Sequence, residues 1–561
     1  MSHPRSVLLR LIWLEAVAFA RAPILGIASI ASLVFSQLLT PGQLPTYTRM
    51  SLTSGEWMLP LAAATFFLAG LRTLRPQRWA ADEWLTALPA DRARRILAQV
   101  VSLAGPAAHS LIVVSSVLLV TSLRHAVGPI VWAELLVGPS LVALLGVVAI
   151  ATGALLRSLR ALPLVAAGLA IVDVWLTYTG FASGAVRSGP SAWFALFVPP
   201  PTTILPPSLL SRPAGAHVAY VLGLTASVAA LLMLRERRTR TSVMIAMACV
   251  GVLVGSVPIQ IIGSTGLTAD DAERQAASLA TGQAALSCVV RRDVRYCAFP
   301  GYESWIPVWT APVEGVLRLA PTSDAGFAVV QQPELERLEE DVVSSLPAHM
   351  LVRSSSGEEW RYDGNLHPGF SWTLRPFERS SELALAVDAA SRVVGLHPGP
   401  RVEGRFFATC TMAGQARAIT VAWLAGQATA ASRASLRGVI ESEPWGVTSG
   451  EAGGASLSAV QSLFGGLGQT YVNWDKREIN YGAQLMQRPE EEVRAVLAAN
   501  WRLLTSPRTP TSKALELLDL RELRTPDQLI EDAALAPIQA EALRARLRVE
   551  TDSETSTQPC R

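Results

Sequence analysis

The first half of the chain alternates between long apolar stretches and short polar segments. Seven stretches approach the roughly 17 to 20 residues that a helix needs to cross a bilayer. They are residues 23–39, 57–71, 100–123, 130–156, 161–181, 218–234 and 243–262. A single stretch of this kind is equally typical of a buried core helix, but seven in succession favour a membrane bundle with seven spans. The second stretch is the shortest of them.

The pattern changes after residue 262, where amphipathic helical periods mix with short runs typical of strands. Helices are predicted at residues 305–319, 333–346, 383–394, 415–427, 489–504 and 526–549, and strands at 327–330 and 406–410. Residues 288–297 read as a hairpin with a polar turn at 291–293. This half is therefore predicted to be an α+β domain large enough to form its own core.

The patterns divide the chain into six segments. They are an amphipathic N-terminal interfacial helix (1–22), a six-span transmembrane domain (23–235), a seventh transmembrane helix (236–265), an α+β lobe (266–441), a mainly helical lobe (442–551) and a disordered tail (552–561). The first segment either lies along the headgroup plane or extends the first span. The predicted fold is an α-helical membrane bundle followed by an extracytoplasmic α+β domain.

Composition supports a membrane protein, because half of the residues are apolar, 17% are charged and the mean hydropathy is +0.32. The basic residues are nearly all arginine, since Lys476 and Lys513 are the only lysines, and this bias suggests a GC-rich genome rather than a nucleic-acid binder. Five cysteines and seven histidines without metal-ligand spacing exclude a zinc ribbon or a disulfide-dense scaffold.

Arginine placement predicts the orientation in the membrane, because basic residues near span ends tend to stay cytoplasmic. With the N-terminus inside, fifteen arginines of the first half fall in cytoplasmic segments and four in external loops. Glu15 and Arg21 interrupt the first apolar run, which excludes a cleavable signal peptide. Seven spans then place everything after residue 262 outside the cytoplasm of a plasma-membrane protein.

The polar loop at residues 72–99 carries six arginines. It also has tryptophans and leucines on both sides of the acidic pair Asp82 and Glu83. A short helix is predicted there, which Pro89 ends, and Asp91 is placed to cap the helix that follows. Such a helix is either a docking surface for a soluble partner or an ordinary positive-inside loop with interfacial tryptophans.

Ionisable residues within the predicted spans are few. His109 and Asp173 are the main candidates, and Asp173 lies about twelve residues into its span. An intramembrane carboxylate is costly, so Asp173 is expected either in a substrate path or in a helix–helix hydrogen bond. The proline-rich stretch at residues 182–216 is predicted to be an external segment that partly re-enters the membrane.

The predicted location outside the cytoplasm makes the cysteines informative, because thiols tend to oxidise there. Cys288 and Cys297 are natural partners across the predicted hairpin. Cys410 and Cys560 remain, and four cysteines allow three connectivities. Cys249, within the last span, is interpreted as a small apolar filler.

The segment DEWLTALPADRARRILA, at residues 82–98, resembles the permease subunits of type 2 ATP-binding-cassette (ABC) exporters. In that family a short cytoplasmic helix after the second span engages a separate ATPase. The amphipathic N-terminal helix, six spans and the partly inserted external segment also belong to the family pattern. The resemblance covers roughly residues 1–235, and the added seventh span and C-terminal half look like actinobacterial members.

The resemblance implies an ATPase-facing surface on the 72–99 loop. Its residues are Trp79, Asp82, Glu83, Trp84, Leu85, Leu88, Arg92, Arg94 and Arg95. The chain has no GxxxxGK[ST] phosphate-binding loop, so no cofactor is assigned to it, and ATP and Mg²⁺ are expected on the partner ATPase. A second membrane subunit, as a homodimer or a paralogous pair, is also implied.

The predicted function is the membrane subunit of an ATP-driven exporter of peptide, antibiotic or lipid, without catalysis of its own. No HExxH or GxSxG motif occurs. One alternative is a membrane-anchored extracytoplasmic binding or sensory protein that transports nothing. Another is an integral-membrane enzyme, which predicts a cluster of ionisable groups at one depth where only Asp173 and His109 occur.

Overall fold

A computed structural model describes residues 4–39, 44–78, 92–181, 194–196, 213–236, 238–264, 286–321, 326–331, 366, 368, 381–396, 410–441, 472–473 and 476–522. The chain divides into two compact units, and the boundary along the chain lies at Asp271. The predicted helices at 333–346 and 526–549, the tail at 552–561 and most of the 182–216 stretch lie outside the described residues.

The first unit is helical. Its helices are α1 Pro4–Ala20, α2 Pro23–Leu38, α3 Tyr47–Leu52, α4 Ser54–Trp57, α5 Leu59–Thr73, α6 Arg75–Arg78, α7 Arg92–Ser102, α8 Ala104–Leu123, α9 Trp132–Leu156, α10 Ala161–Phe181, α11 Ala214–Glu236 and α12 Arg240–Ser264. Each of the seven predicted apolar stretches thus falls largely within a helix.

Four segments of this unit are long and apolar enough to cross a membrane. They are Arg92–Leu123, which joins α7 to α8, then α9, α11 and Arg240–Ile261 within α12. Parts of α1 and α2 form a bent pair with an angle of 52°, which makes five if the pair is counted as one span. The apolar helices Leu59–Thr73 and Ala161–Thr177 are shorter. The predicted helical bundle is confirmed as compatible with membrane insertion, and the count of seven spans stays a prediction.

A proline explains the bend between α1 and α2. Pro23 occupies the first turn of α2, where its missing N–H is not needed, and Ala22 before it is extended (φ −73°, ψ 117°). The helix therefore stops and restarts at this point, so α1 and α2 are separate helices.

Helix α9 lies at the centre of the first unit, where it packs against α5, α8 and α11. Its sequence is apolar all round, and 72% of its apolar stretch is buried. Gly138 allows the close approach of α4, because a Cβ there would lie 2.8 Å from the Ser54 carbonyl oxygen. The core cluster around it includes Trp57, Leu61 and Leu141.

The second unit combines helices with two small sheets. Its elements are β1 Ser287–Arg291, β2 Val294–Ala298, a 3-10 turn Glu303–Trp305, α13 Ile306–Leu319, β3 Val329–Val330, α14 Ser381–Val393, β4 Cys410–Thr411, α15 Ala416–Gln427, α16 Ala430–Glu441, β5 Val472–Asn473, α17 Lys476–Leu485, α18 Glu490–Leu504 and α19 Thr511–Leu518. The predicted α+β character of this half therefore matches the elements that are described.

The three-stranded sheet has the order β1-β2-β3, with β1 antiparallel and β3 parallel to β2. The predicted hairpin is confirmed. Its two-residue turn places both Arg292 (φ 44°) and Asp293 (φ 67°) in the left-handed region, as a type I′ hairpin turn requires. A separate pair, β4 and β5, is parallel.

Helix α15 forms the centre of the second unit, because every residue from Ala416 to Gln427 is buried. It packs against α14, α16 and α17. Gly315 of α13 approaches the end of α15 so closely that a Cβ would lie 2.1 Å from the Ala428 carbonyl oxygen. Elements on both sides of residue 442 pack together here, and β4 pairs with β5 across it.

Candidate functional site

The structure describes part of the predicted ATPase-facing surface. Trp79, Asp82, Glu83, Trp84, Leu85 and Leu88 lie outside the described residues. Arg92, Arg94 and Arg95 form the first turn of α7, and all three are half-buried. The described contacts therefore define what the chain meets directly after residues 79–91.

Arg92 joins the start of α7 to two other helices. Its Nη2 donates to the Ala154 carbonyl oxygen at 3.0 Å, in the last turn of α9. Its Nε lies 3.4 Å from Oε1 of Glu236, the last residue of α11. Carbonyl groups in the last turn of a helix lack intrahelical donors and carry partial negative charge, so a guanidinium is a favourable partner there.

Arg72, near the end of α5, holds helix α1 in place. Its Nη1 donates to the Glu15 carbonyl oxygen at 3.1 Å and lies 3.3 Å from the Glu15 Oε2. Its guanidinium carbon lies 4.0 Å from the centroid of the Phe19 ring, and Arg72 is only 6% exposed. Thr73 donates to Oε1 of Gln99 at 3.2 Å, which links α5 to α7. Helices α1, α5 and α7 are thus tied together.

His109 of α8 contacts the bend between α1 and α2. Its Nδ1 lies 3.3 Å from the Ser29 Oγ, and its Nε2 lies 3.3 Å from the Ala20 carbonyl oxygen. These contacts assign His109 to helix packing.

Asp173 of α10 binds the backbone of the connection that leads to α11. Its Oδ1 accepts the Leu196 N–H at 2.5 Å. The same short turn is held from the other side, because Tyr220 of α11 donates from its hydroxyl to the Phe194 carbonyl oxygen at 3.3 Å. Ala195 between them is fully buried. Residues 194–196, one of the two described parts of the 182–216 stretch, are therefore anchored against α10 and α11.

A buried polar pair continues this site toward α12. His217 is 1% exposed and Gln260 is fully buried, and the His217 Nδ1 lies 3.3 Å from the Gln260 Oε1. The His217 and Tyr220 ring centroids are 6.0 Å apart. Buried polar side chains in an apolar bundle need hydrogen-bond partners, and α11 and α12 supply them to each other. We call Asp173, Leu196, Tyr220, His217 and Gln260 the polar cluster.

Sequence reasoning missed most of the polar cluster. It singled out Asp173 because a carboxylate is conspicuous within an apolar stretch. His217 and Gln260 lie near the ends of their helices, where polar residues are ordinary. A usable signal is that one lies near the start of a span and the other near the end of the next, because these two ends lie side by side when consecutive spans run antiparallel.

The predicted disulfide is confirmed: Cys288 and Cys297 are bonded and lie directly opposite each other in the β1–β2 register. Cys249 of α12 is a free thiol. Cys560 lies outside the described residues. Within the part of the chain that the structure describes, no group of three His, Cys, Asp or Glu side chains is placed to hold a metal ion.

The second unit contains an open groove of about 530 Å³ between α13 and α18. Its described lining is Arg318, Ala320, Pro321, Glu491, Arg494, Ala495 and Ala498. Arg318 Nη1 is paired with Glu490 Oε1 at 2.6 Å at its side. The groove is polar and of mixed charge, and no catalytic arrangement lines it.

Comparisons with protein-family models, with curated proteins and with solved structures return no match to this chain. Similarity therefore shows no family, and a functional interpretation depends on the contacts given above. Charged and polar side chains connect different helices at Arg92, at Arg72, at Thr73, at His109 and in the polar cluster.

Proposed function

We propose that the chain is the membrane-spanning subunit of an ATP-driven ABC exporter, which moves a peptide, antibiotic or lipid out of the cell with energy from a separate ATPase. The observation that carries the proposal is the position of Arg92. It follows the 79–91 loop directly and contacts the ends of both α9 and α11. A force applied to that loop is therefore delivered to two apolar helices at once.

The proposed mechanism is mechanical. ATP-driven closure of the ATPase pushes on residues 79–95, and α7 moves with them as a rigid helix. Arg92 passes the displacement to α9 and α11, and the Arg72 and Thr73 contacts make α1 and α5 follow. Each link is a hydrogen bond or an ion pair between two helices.

The proposal assigns ATP and Mg²⁺ to the partner ATPase, because the chain lacks the glycine-rich loop and lysine that hold nucleotide phosphates. It also needs a second membrane subunit, either a second copy or a paralogue, since the path runs between two bundles. The arginine asymmetry supports a cytoplasmic N-terminus and an external second unit. The Cys288–Cys297 disulfide agrees with that location.

The polar cluster has a place in this scheme. By the predicted orientation it lies toward the outer ends of α10, α11 and α12. Asp173 and Tyr220 hold residues 194–196 across those ends. We propose that this anchored turn closes the outer end of the bundle until the helices are displaced.

The coupling surface is tested with Trp84→Ala and Glu83→Arg. Each variant is expected to lose co-purification with the ATPase subunit, while the yield in the membrane fraction stays unchanged. Trp132→Ala is the matched control, because Trp132 is 63% exposed at the start of α9 and has no part in the coupling surface. Unchanged ATPase recovery with both coupling variants would contradict the proposal.

A second candidate is a membrane-anchored external binding or sensory protein, which the groove of about 530 Å³ in the second unit favours. The two candidates differ in their genetic neighbourhood and in their energetics. A neighbouring reading frame with a phosphate-binding loop, and ATP-dependent export from inverted vesicles, support the exporter. A ligand that binds the second unit without any ATP-dependent movement supports the binding protein.

A further inference from the structure

Within the described residues, no strand pairs with the outer edge of strand β1. It is the outer strand of its sheet, and all five of its residues are exposed. Val289 is 45% and Val290 67% exposed, and among the described residues of the second unit only Leu503 joins them as an exposed large hydrophobic. Proteins usually protect such edges with charged side chains, proline or a bulge, and of these β1 has only Arg291, at its end.

The register shows which backbone groups face outward. Cys288 and Cys297 are directly opposite with Cα atoms 4.1 Å apart, which is the close spacing of a non-hydrogen-bonded pair. Since the two kinds of pair alternate, Val289 and Arg291 exchange hydrogen bonds with β2. The N–H and C=O groups of Cys288 and Val290 therefore point away from β2 and are available to another strand.

We propose that a second copy of this chain pairs with this edge, β1 against β1, antiparallel and centred on Val289. Val289 then faces Val289 of the second copy. Cys288 of each copy exchanges two hydrogen bonds with Val290 of the other, which gives four in all. The pairing is two-fold symmetric, as an isologous contact requires, and it joins two three-stranded sheets into one of six strands.

The charges around β1 favour a second copy of this chain as the partner of the edge. In this register Arg291 faces Ser287 of the second copy, and Ser287 donates to the Glu303 Oε1 at 3.2 Å. Each Arg291 therefore comes close to a Glu303 carboxylate of the other copy. The two Arg291 residues lie at opposite ends of the contact, four residues or roughly 13 Å apart along the strand. An acidic extended peptide would match Arg291 but would bring like charge to Glu303.

The apolar contact also extends the core. Val289 shares a face of the sheet with its partner Tyr296, and Tyr296 is fully buried. Two Val289 side chains that meet there continue this buried face across the two-fold axis.

Five-residue edges bury far less than the roughly 1,200 Å² of a stable interface, so the pairing adds to contact between membrane bundles. The inference rests on the proposed function only in requiring two copies of this chain.

Cross-linking of the full chain in native membranes tests the register. Val289→Cys is expected to form a covalent dimer after mild oxidation, because position 289 faces itself across the axis. Arg292 lies in the turn, is 71% exposed and points toward Glu314 at 3.2 Å, so Arg292→Cys is a more exposed control and is expected to stay monomeric. Photo-cross-linking with benzoylphenylalanine at position 289 and at position 292 repeats the comparison. It forms the dimer without a new thiol that could exchange with the Cys288 disulfide.

A second variant tests the outward hydrogen bonds. Val290→Pro removes an outward N–H and none that serves β2, so it is expected to lower the 289 photo-dimer about tenfold while the Cys288–Cys297 disulfide still forms. Absence of dimer at 289, or equal dimer at 289 and 292, overturns the inference. Capture of a polyglutamate peptide by monomeric chain also overturns it, in favour of an acidic partner. ATPase co-purification is measured on the same samples, so failure of the proposed function is seen separately.

Discussion

The two units differ in what they expose. In the first unit large apolar side chains lie on the surface of nearly every long helix, as with Ile171 (69% exposed), Met244 (66%) and Val254 (62%). In the described part of the second unit, Val289, Val290 and Leu503 are the exposed large hydrophobics. The surface of the first unit is suited to the hydrocarbon of a membrane, and the surface of the second unit is suited to water. Large apolar side chains are therefore exposed in the first unit and largely buried in the second.

The units satisfy buried polar groups in similar ways. In both, buried hydroxyls return to their own helix, as Thr65 does in α5 and Thr310 does in α13. Each unit also buries an arginine, since Arg72 is 6% exposed and Arg417 is 1% exposed. Burial lowers the pKa of Arg417 to about 10 and that of Arg392 to about 9. The two units therefore differ in their surfaces and not in the way their interiors satisfy polar groups.

The largest expected effect concerns the core of the second unit. Trp423 of α15 is fully buried, so Trp423→Ala is expected to reduce the free energy of unfolding of that unit by about 3–5 kcal/mol. Pulse proteolysis in urea measures it. The exposed Trp132 provides the matched Trp132→Ala control, and equal losses for the two variants would show that the units do not differ as argued.

The next effect tests whether α12 faces lipid. Val254→Arg places a charge on its exposed face, and membrane insertion is expected to become about 2.5–3.5 kcal/mol less favourable. The amount of chain that resists carbonate extraction measures insertion. Leu503→Arg, at an exposed site of the second unit, is the control and is expected to change little. Normal insertion of Val254→Arg would mean that α12 faces water or protein.

A third effect compares ion pairs in the two units. Arg72→Ala removes charged hydrogen bonds and the Phe19 contact, and is expected to cost about 1.5–3 kcal/mol. Arg318→Ala removes a pair with Glu490 whose side chains are 48% and 30% exposed, and is expected to cost less than about 1 kcal/mol. Thermal unfolding in detergent ranks the two. A larger loss of stability for Arg318→Ala than for Arg72→Ala would contradict the conclusion that Arg72 holds α1 in place.

The smallest effect concerns the hairpin. Replacing both Cys288 and Cys297 by serine is expected to destabilise the second unit by about 2 kcal/mol, since the disulfide closes only a short loop. Cys249→Ser, at the free thiol of α12, is the control. Protease protection of each unit locates the change, and loss of protection in the first unit would contradict this assignment.

The sequence determined the elements whose signal is local. Apolar length predicted the long helices, and helical periodicity placed α13, α14, α15 and α18 within about two residues of their ends. Alternation and polar turn residues located the hairpin, and with it the disulfide. It did not predict α16, α17 or α19, which are short and are stabilised largely by packing against α15 and its neighbours.

Only the tertiary structure decided which residues meet. The resemblance assigned Arg92 to a partner-facing surface, and the fold sets its guanidinium against Ala154, 62 residues away, and against Glu236. His217 and Gln260 meet 43 residues apart, and Arg72 meets Glu15 across 57. The physical reason is that hydropathy and backbone preference are properties of a few neighbouring residues. A contact between helices instead depends on the rotation and axial position of each helix, which the packing of the whole bundle sets.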